Sequence, residues 1–338
     1  MKILLYRCGN ERSSSQYPLG LGYLKSNCVN ANISIVHSSK ELNDCDLIGL
    51  SADASGTKEA IDILNSTDIS VIIGGQVTLW EGIKKYPFKH IIYGDGEISL
   101  QKIIDGKVER LLYNRVDNVD SLIFPERGEC GKTVPIITSR GCCWKCNFCS
   151  SNAFWGKVRY HSSEYFISEV LDILKKYPHI RELYILDDLF IGNKKRFQEI
   201  YEKWMSLGLN KKMHLRSFVR SNILTLEIAR QMKTMGFKRI RFGAESGSDK
   251  ILKVLNKCAT VADHQKAIEI ANKASLPISA SFMHGLPEET PEDLQMTKDF
   301  IQKNKGKLTV EGFYKFQPFP GTKFYNGENP ITKNMRVR

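Results

Sequence analysis

Residues 138–149 read Thr-Ser-Arg-Gly-Cys-Cys-Trp-Lys-Cys-Asn-Phe-Cys and hold four of the nine cysteines of this 338-residue chain. Three of them, Cys142, Cys146 and Cys149, follow the spacing C-x₃-C-x₂-C. Thiolates are soft ligands that suit iron–sulfur clusters or zinc. A structural zinc site usually closes with four protein ligands, and this loop offers three without a nearby Cys or His pair. The spacing therefore favours an iron–sulfur cluster with one open iron, with zinc as the alternative.

The cysteine loop directly follows an apolar run that begins a regular alternation of strands and helices. The predicted strands are residues 134–138, 182–186, 213–218, 239–242, 278–282 and 309–314. Short apolar runs separated by helix-sized segments are typical of parallel βα units. Six such units predict a partial (β/α)₆ barrel of the TIM type, in which the chemistry lies in the loops after the strands.

A separate α/β pattern precedes this barrel. Residues 2–6, 33–36, 47–50, 70–73 and 90–93 predict the strands of a doubly wound, Rossmann-like parallel sheet. Glycine-bearing turns follow several of them and share the carboxyl edge, which leaves a ligand-binding edge and ordinary tight turns as alternatives. The expected domains are 1–112 for this sheet, 113–132 for a linker, 133–325 for the barrel and 326–338 for a C-terminal tail.

The cysteine motif resembles the signature of the radical S-adenosylmethionine (SAM) enzymes, because the aromatic Phe148 precedes the last cysteine. The resemblance implies a [4Fe–4S] cluster on Cys142, Cys146 and Cys149. It further implies that the open iron chelates the methionine part of SAM. One electron from the cluster then cleaves SAM to a 5′-deoxyadenosyl radical, which abstracts hydrogen from a substrate.

The loops after the later strands are similar to those that bind SAM in this family. The residues that the resemblance assigns to SAM are Phe148, Asp187, Asp188, Arg220, Glu245, Ser246, Lys257 and Gly285. Two adjacent carboxylates need a cation or a proton to coexist, which suits the ammonium of SAM. The alternatives are a helix cap for the aspartates and a solvated helix position for Lys257.

The N-terminal pattern resembles the cobalamin-binding domain that precedes the barrel in B12-dependent radical SAM enzymes. The implied cobalamin-binding residues are Leu19, Gly20, Gly22, Ser51, Gly74, Gly75, Gln76, Thr78, Gly94, Gly96 and Glu97. The D-x-H-x-x-G motif that supplies a histidine to cobalt in other cobalamin proteins is absent. His37 reads as an ordinary loop histidine, and we expect cobalamin without a protein imidazole.

The implied activity is transfer of a methyl group from methylcobalamin to an unactivated carbon. A B12-dependent rearrangement or cyclisation is an alternative on the same scaffold. Methylthiotransfer is a second alternative, since Cys8 and Cys45 lie where those enzymes begin another cysteine triad, but Gly74-Gly75 stands in place of its third member. A zinc-bearing nucleic-acid module is the alternative from a different class.

The composition and the order of elements along the chain also predict the location and partners of the protein. The net charge of +12 is spread along the chain without a run of five or six basic residues, which makes nucleic acid an unlikely partner. No apolar stretch approaches the ~18 residues of a membrane span, so we expect a cytoplasmic protein. Few residues follow the last strand, which suggests an open barrel mouth and a peptide or protein substrate. A low-potential donor such as ferredoxin or flavodoxin would reduce the cluster.

Overall fold

The computed structural model describes residues 1–9, 17–107 and 109–327, and its chain divides into two compact units. The first comprises Met1–Cys130, Ala153–Arg159 and the segment that begins at Phe319. The second comprises Gly131–Asn152 and Tyr160–Pro318. The boundaries therefore differ from the expected 1–112, 113–132 and 133–325, and most of the expected tail lies outside the described residues.

The first unit is built on one six-stranded parallel sheet. Its strands are β1 (Lys2–Arg7), β2 (Asn32–Ile35), β3 (Leu47–Ser51), β4 (Val71–Gly74), β5 (His90–Gly94) and β6 (Leu111–Asn114). Their order in the sheet is β2-β1-β3-β4-β5-β6, and every pair is parallel. The doubly wound sheet predicted from the sequence is confirmed.

Helices cover both faces of this sheet, and they are α1 (Leu19–Asn27), α2 (Thr57–Asn65) and α3 (Gly96–Ile104). Ile48 and Leu50 of β3 share a buried cluster with α2. Leu47, one residue from Ile48, belongs to the opposite cluster with α1 and α3. This alternation of faces explains why the strands are apolar at nearly every position.

Strand β6 corrects the expectation of a linker over residues 113–132. It pairs parallel with β5, with Ile92 beside Leu112. Only Leu112 is buried, whereas Tyr113 is 64% exposed. An edge strand with one buried position has almost no apolar pattern, which is why the sequence did not indicate it.

A buried ion pair ties residues 153–159 into the first unit. Arg159 contacts the carboxylate of Asp95, whose side chain is fully buried at the start of α3. The backbone N–H of Val116 donates to Asp95 Oδ2 at 2.8 Å, and Arg159 Nη1 donates to the Val116 carbonyl at 2.8 Å. The segment therefore supplies the counter-charge of a buried carboxylate.

The second unit contains another six-stranded parallel sheet, as predicted. Its strands are β7 (Thr133–Ile136), β10 (Glu182–Ile185), β11 (His214–Phe218), β12 (Phe237–Glu245), β13 (Ile278–His284) and β14 (Thr309–Lys315). The order is β14-β13-β12-β11-β10-β7. Two short strands, β8 (Ser139–Arg140) and β9 (Arg159–Tyr160), pair with each other. The sheet does not close on itself, in agreement with a partial barrel.

Seven helices are described after β8, and most connect the strands of this sheet. They are α4 (Ser151–Trp155), α5 (Ser163–Lys176), α6 (Lys194–Ser206), α7 (Leu226–Met235), α8 (Asp249–Val254), α9 (Val261–Lys273) and α10 (Pro291–Lys303). Phe242 of β12 packs on His264 of α9, and Phe282 of β13 packs on Phe300 of α10. These contacts identify one face of the sheet as the helix-covered face. Among the described residues, none of the helices is long and apolar enough to cross a membrane.

Candidate functional site

The cysteine loop leaves the carboxyl end of β7 and is anchored to the end of α8. The backbone N–H of Asn147 donates to the Leu255 carbonyl at 2.9 Å, and its side-chain amide donates to the Val254 carbonyl at 2.7 Å. Asn152 reaches back to the carbonyl of Trp144. Backbone anchors of this kind fix the loop without using the thiols, which stay available as ligands.

The thiols have the chemistry that an iron–sulfur cluster needs. Cys142 and Cys146 are half-buried, and Cys149 is exposed. Burial raises the pKa of the Cys142 thiol to about 12, so its thiolate requires a strong positive charge such as iron. Within residues 1–9, 17–107 and 109–327, no three Cys, His, Asp or Glu side chains converge on one metal ion. The cysteines of a cubane cluster each bind a different iron and do not need to converge.

Two hydrogen-bond donors lie beside these thiols. Arg220 Nη1 lies 3.4 Å from the Cys146 sulfur, and its guanidinium stacks 4.2 Å from the centre of the Trp144 ring. The indole N–H of Trp144 is buried and has no hydrogen-bond partner in the described part of the chain. A cluster sulfide would supply the missing acceptor, so the loop fits the [4Fe–4S] group. The sequence placed Arg220 at SAM, whereas the structure places it against a cysteine.

Asp187 and Asp188, at the carboxyl end of β10, have different environments. Asp187 Oδ1 accepts the backbone N–H groups of Thr138 and Ser139 at 2.6 and 3.0 Å, and Oδ2 accepts the Thr138 hydroxyl. Burial raises the pKa of Asp187, although the Arg196 guanidinium opposes that shift. Asp187 therefore fixes the start of the cysteine loop, and its assignment to SAM stays a prediction.

Asp188 is exposed and is the carboxylate available to a ligand. Its Oδ2 accepts the Ser151 hydroxyl at 2.6 Å. Ser151 lies two residues after Cys149, so Asp188 lies beside the cysteine loop. Of the two aspartates, Asp188 is the one that suits the ammonium group of SAM.

Glu245 and Lys257 form a buried ion pair above Phe148. Lys257 Nζ donates to Glu245 Oε1 at 2.8 Å, and both side chains are less than a tenth exposed. The ammonium lies 5.4 Å from the centre of the Phe148 ring. A Cβ at Gly243 would overlap both side chains, so glycine leaves the space that the pair occupies. Three of the expected SAM residues are thus brought together at the end of β12.

Ser246 and Gly285 differ in their availability. The Ser246 hydroxyl is fully buried and contacts the Thr297 hydroxyl and the Ser248 N–H. These contacts stabilise the turn after β12, and the assignment of Ser246 to SAM stays a prediction. Gly285 is exposed after β13, and its N–H donates to Glu289 Oε2 at 2.5 Å.

His264 is a site residue that the sequence reasoning did not identify. Its two ring nitrogens contact the Ser221 hydroxyl at 2.7 Å and the Ala244 carbonyl at 3.0 Å. Ser221 follows Arg220 and Ala244 precedes Glu245, so one buried ring holds both loops. Burial lowers the pKa of His264 to about 4. An isolated histidine in an amphipathic helix gives no sequence signal for this role.

The candidate cobalamin residues of the first unit fall into two groups. Leu19, Gly22, Thr78 and Glu97 are buried inside the unit. A Cβ at Gly22 would lie 2.1 Å from the Glu126 carbonyl oxygen, and one at Gly96 would lie 2.8 Å from Leu24. These positions are packed against neighbouring residues, and their assignment to cobalamin stays a prediction. The accessible positions are Gly20, Ser51, Gly74, Gly75, Gln76 and Gly94.

The accessible positions after β4 and β5 present backbone rather than side chains. Gly75 and Gly94 have φ angles of +88° and +78°, which side-chain-bearing residues rarely adopt. Because the strands are parallel, their turns share one edge of the sheet. A shelf of exposed backbone suits a broad, flat ligand such as a corrin. His37 is exposed after β2, and His90 lies at the opposite edge, with its Nδ1 2.9 Å from the Glu109 carbonyl oxygen.

Cys8 and Cys45 do not form a second metal site. Cys8 is 2% exposed in the apolar cluster beneath α2, and Cys45 packs against the same cluster. Burial strongly raises the pKa of the Cys8 thiol. Cys8 behaves as a small apolar side chain rather than a ligand.

Several known proteins are similar to this chain in sequence or in fold. Residues 136–301 match the family model of the radical SAM superfamily. The chain is 30% identical over 331 residues to an uncharacterised methyltransferase of Pyrococcus horikoshii, covering 86% of this chain and 71% of the relative. It is 28% identical to a putative methylthiotransferase of Methanocaldococcus jannaschii, covering 72% of this chain and 60% of that protein. The radical SAM methyltransferase TsrM of Kitasatospora setae, solved with cobalamin and a [4Fe–4S] cluster, superposes with a TM-score of 0.79 at 14% identity, over 95% of this chain and 73% of TsrM.

These matches, together with the cysteine loop after β7, show that the chain belongs to the radical SAM superfamily. It is an enzyme whose cofactors include a [4Fe–4S] cluster and SAM. Within the superfamily, its fold is that of the cobalamin-dependent methyltransferase TsrM, with a doubly wound sheet preceding the barrel sheet.

Proposed function

We propose that this chain transfers a methyl group from methylcobalamin to an unactivated carbon of its substrate. The observation that carries the proposal is the pair of parallel sheets, one followed by a three-cysteine loop and the other by partly accessible glycine turns. When bound, the cluster and SAM supply a 5′-deoxyadenosyl radical, and methylcobalamin supplies the methyl group. The protein orients these groups and excludes water.

The residues of the second unit have distinct tasks in this proposal. Cys142, Cys146 and Cys149 hold the cluster, and Asp188 receives the ammonium of SAM. Glu245 accepts hydroxyl groups of the ribose, while Lys257 supplies a positive charge nearby. Because the pair is preformed at 2.8 Å, it costs little ordering when SAM binds.

The exposed backbone at Gly75 and Gly94, with neighbouring Ser51, Gly74 and Gln76, supports cobalamin on the first unit. Among the described residues, the ring of His37 lies edge-on to Tyr17, at 6.1 Å between centroids, and no sequence motif marks it as a cobalt ligand. We therefore keep the expectation that no protein imidazole coordinates cobalt.

Methyl transfer is favoured over methylthiotransfer by the burial of Cys8. A second cluster would need Cys8 and Cys45 as ligands, but Cys8 is buried in an apolar core and Cys45 packs against it. The Methanocaldococcus relative carries the name of a putative methylthiotransferase, but the chain spans only 60% of its length. Rearrangement or cyclisation uses the same cofactors and is distinguished by its product.

The proposed activity requires an electron donor and a substrate. Reduction of the cluster requires a low-potential electron donor, such as ferredoxin or flavodoxin. A peptide or protein substrate stays a prediction.

The cluster assignment is tested with Cys142→Ala and with the neighbouring Cys143→Ala as a matched control. Cys143 is exposed in the same loop and has no assigned ligand role. After anaerobic reconstitution with iron and sulfide, we expect Cys142→Ala to lose cluster absorbance and 5′-deoxyadenosine formation, and Cys143→Ala to keep both. If Cys142→Ala keeps its iron and its 5′-deoxyadenosine formation, the proposal is wrong.

The cobalamin assignment is tested by placing a bulky side chain on each edge of the first sheet. Gln76→Trp blocks the carboxyl edge, whereas Lys89→Trp adds the same ring at the exposed amino edge. Titration of the apo-protein with hydroxocobalamin should show at least tenfold weaker binding for Gln76→Trp only. With methyl-labelled SAM, a methyltransferase forms methylated product, 5′-deoxyadenosine and S-adenosylhomocysteine in equal amounts. Product without label would indicate rearrangement instead.

A further inference from the structure

The inner face of the barrel sheet carries charges where a parallel sheet is normally apolar. The helix-covered face is defined by Phe242 and Phe282, and the adjacent positions on the strands point to the other face. That inner face carries Glu182, Tyr184, Arg216, Arg239, Arg241, Ser279 and Glu311. Three arginines therefore face two glutamates, which leaves one excess positive charge.

Arg216 and Arg241 approach the same tyrosine ring from neighbouring strands. The guanidinium carbon of Arg216 lies 4.9 Å from the centre of the Tyr184 ring, and that of Arg241 lies 5.8 Å from it. Both arginine side chains remain accessible, at 30% and 24% exposure. The two cations thus flank one tyrosine ring, and both side chains are partly accessible.

Most of the arginine N–H groups in this cluster have no protein acceptor in the described part of the chain. Arg216 contacts Glu182 through Nε, and Arg241 Nε lies 2.9 Å from Glu311 Oε1. The additional hydrogen bond is a long one of 3.5 Å from Arg241 Nη1 to the Tyr184 hydroxyl. Ser279 donates to the same Glu311 oxygen at 2.7 Å, which leaves that glutamate with a second partner. Among the described residues, Arg241 Nη2 and both terminal nitrogens of Arg216 have no acceptor, and a guanidinium fork matches a carboxylate or phosphate.

The arginine pair lies on the strand that carries the SAM residues. Arg241 precedes Glu245 by four residues on β12, so at ~3.3 Å per residue their Cα atoms lie about 13 Å apart. Phe218 is beside Arg241 in the sheet, and Gly243 is beside Ser281. The surface between the arginines and Glu245 is therefore apolar or small, which suits the carbon skeleton of a substrate.

We propose that Arg241 and Arg216 bind a carboxylate or phosphate group of the substrate, so that its carbon skeleton extends toward the SAM edge. This inference rests on the proposed function and specifies its substrate class. Arg241 is the principal anchor, because Glu311 retains Ser279 when Arg241 is engaged. The ring of Tyr184 contacts both guanidinium groups and restrains their positions.

The test uses the reconstituted holoenzyme and a small-molecule extract of the source cells, separated at pH 7 into anionic, neutral and cationic fractions. With methyl-labelled SAM, we expect labelled product from the anionic fraction. Phosphatase treatment or methyl esterification of that fraction should abolish labelling in one arm, which distinguishes phosphate from carboxylate. Label arising only from the neutral or cationic fraction overturns the inference, while the proposed function stands. No label and no 5′-deoxyadenosine in any of these fractions, or in the peptide and protein fraction of the same cells, would instead refute the proposed function.

Variants then locate the anion. Arg241→Gln should raise the substrate concentration at half-maximal rate by about 10- to 100-fold, and Arg241→Lys should have an intermediate effect because it keeps charge without the fork. The matched control Arg230→Gln lies exposed on α7 and should behave as wild type. Equilibrium dialysis of the purified labelled product against each apo-protein gives a second readout, in which Arg241→Gln should weaken binding by at least tenfold. Equal product binding by Arg241→Gln and Arg230→Gln overturns the inference.

Discussion

Gly20 and Gly22 in α1 belong to one sequence motif, yet the structure predicts opposite effects for their replacement by alanine. A Cβ at Gly22 would lie 2.1 Å from the Glu126 carbonyl oxygen and 3.2 Å from the Tyr17 ring. A Cβ at Gly20 would meet nothing within 4 Å. Real Cβ atoms keep at least 3.0 Å from such neighbours, so Gly22→Ala must displace α1 or the Glu126 backbone by about 1 Å.

The size of the effect follows from two contacts. Overpacking of this kind costs about 1–3 kcal/mol. The displacement also weakens the hydrogen bond from Glu126 N–H to the Gly22 carbonyl, now 3.3 Å, worth about 1 kcal/mol. We therefore expect Gly22→Ala to lower the free energy of unfolding by about 2–4 kcal/mol. Gly20→Ala should change it by less than about 1 kcal/mol, in the stabilising direction.

Urea denaturation of the apo-proteins, followed by far-UV circular dichroism, measures this difference. With a slope of about 2 kcal/mol per M, the Gly22→Ala midpoint should fall by about 1–2 M relative to Gly20→Ala. Equal midpoints would refute the packing argument. If Gly22→Ala were as stable as wild type and lost only cobalamin affinity, the original assignment of Gly22 to the ligand would be supported.

Three further perturbations test the second unit. Burial, and then the nearby charge of Lys257, lower the pKa of His264 to about 4 in the folded protein. In the unfolded chain the histidine has a pKa near 6.5. As the pH falls below 6.5, the unfolded chain therefore takes up a proton that the folded chain does not, and the folded state loses stability. The free energy of unfolding should fall by about 2 kcal/mol between pH 7 and pH 5. His264→Gln should remove this pH-dependent loss, measured as the difference between the urea midpoints at the two pH values. If the pH dependence is unchanged in the variant, the assignment is wrong. Lys257→Met leaves the Glu245 carboxylate buried without a counter-charge and should lower the free energy of unfolding by about 3–5 kcal/mol in urea denaturation. Adding Glu245→Gln should restore part of this stability. A wild-type urea midpoint for Lys257→Met would show that the pair is not buried in solution. Asp187→Ala removes the acceptor of the Thr138 and Ser139 N–H groups and should reduce the iron retained after reconstitution, and full iron content would show that this contact does not position the loop.

The two parallel sheets could be predicted from the sequence because both faces of their central strands are buried. Runs such as Leu47–Ser51 are apolar at successive positions, and this pattern does not depend on distant contacts. Strand β6 could not be predicted, since its single buried position, Leu112, is set by its neighbour β5.

The sequence predicted that the site residues lie at the strand ends, but not which residue faces a ligand and which one holds a loop in place. Motif order placed Asp187 and Asp188 after β10, yet which one faces a ligand is decided by the backbone of Thr138, 49 residues away in the chain. Similarly, the role of Gly22 depends on Glu126, and the role of His264 depends on Ser221 and Ala244. Contacts over such separations leave no local pattern.

The pairing of Arg159 with Asp95 limits how this protein can be dissected or recombined. A fragment that ends at Cys130 would contain the whole first sheet but would lack the arginine that balances its buried carboxylate. A stable cobalamin-binding fragment therefore cannot be obtained, or fused to another enzyme, by cutting the chain at a single position after the first sheet. Any such chimaera must also bring residues 153–159, which the sequence places between the cluster cysteines and the second barrel strand.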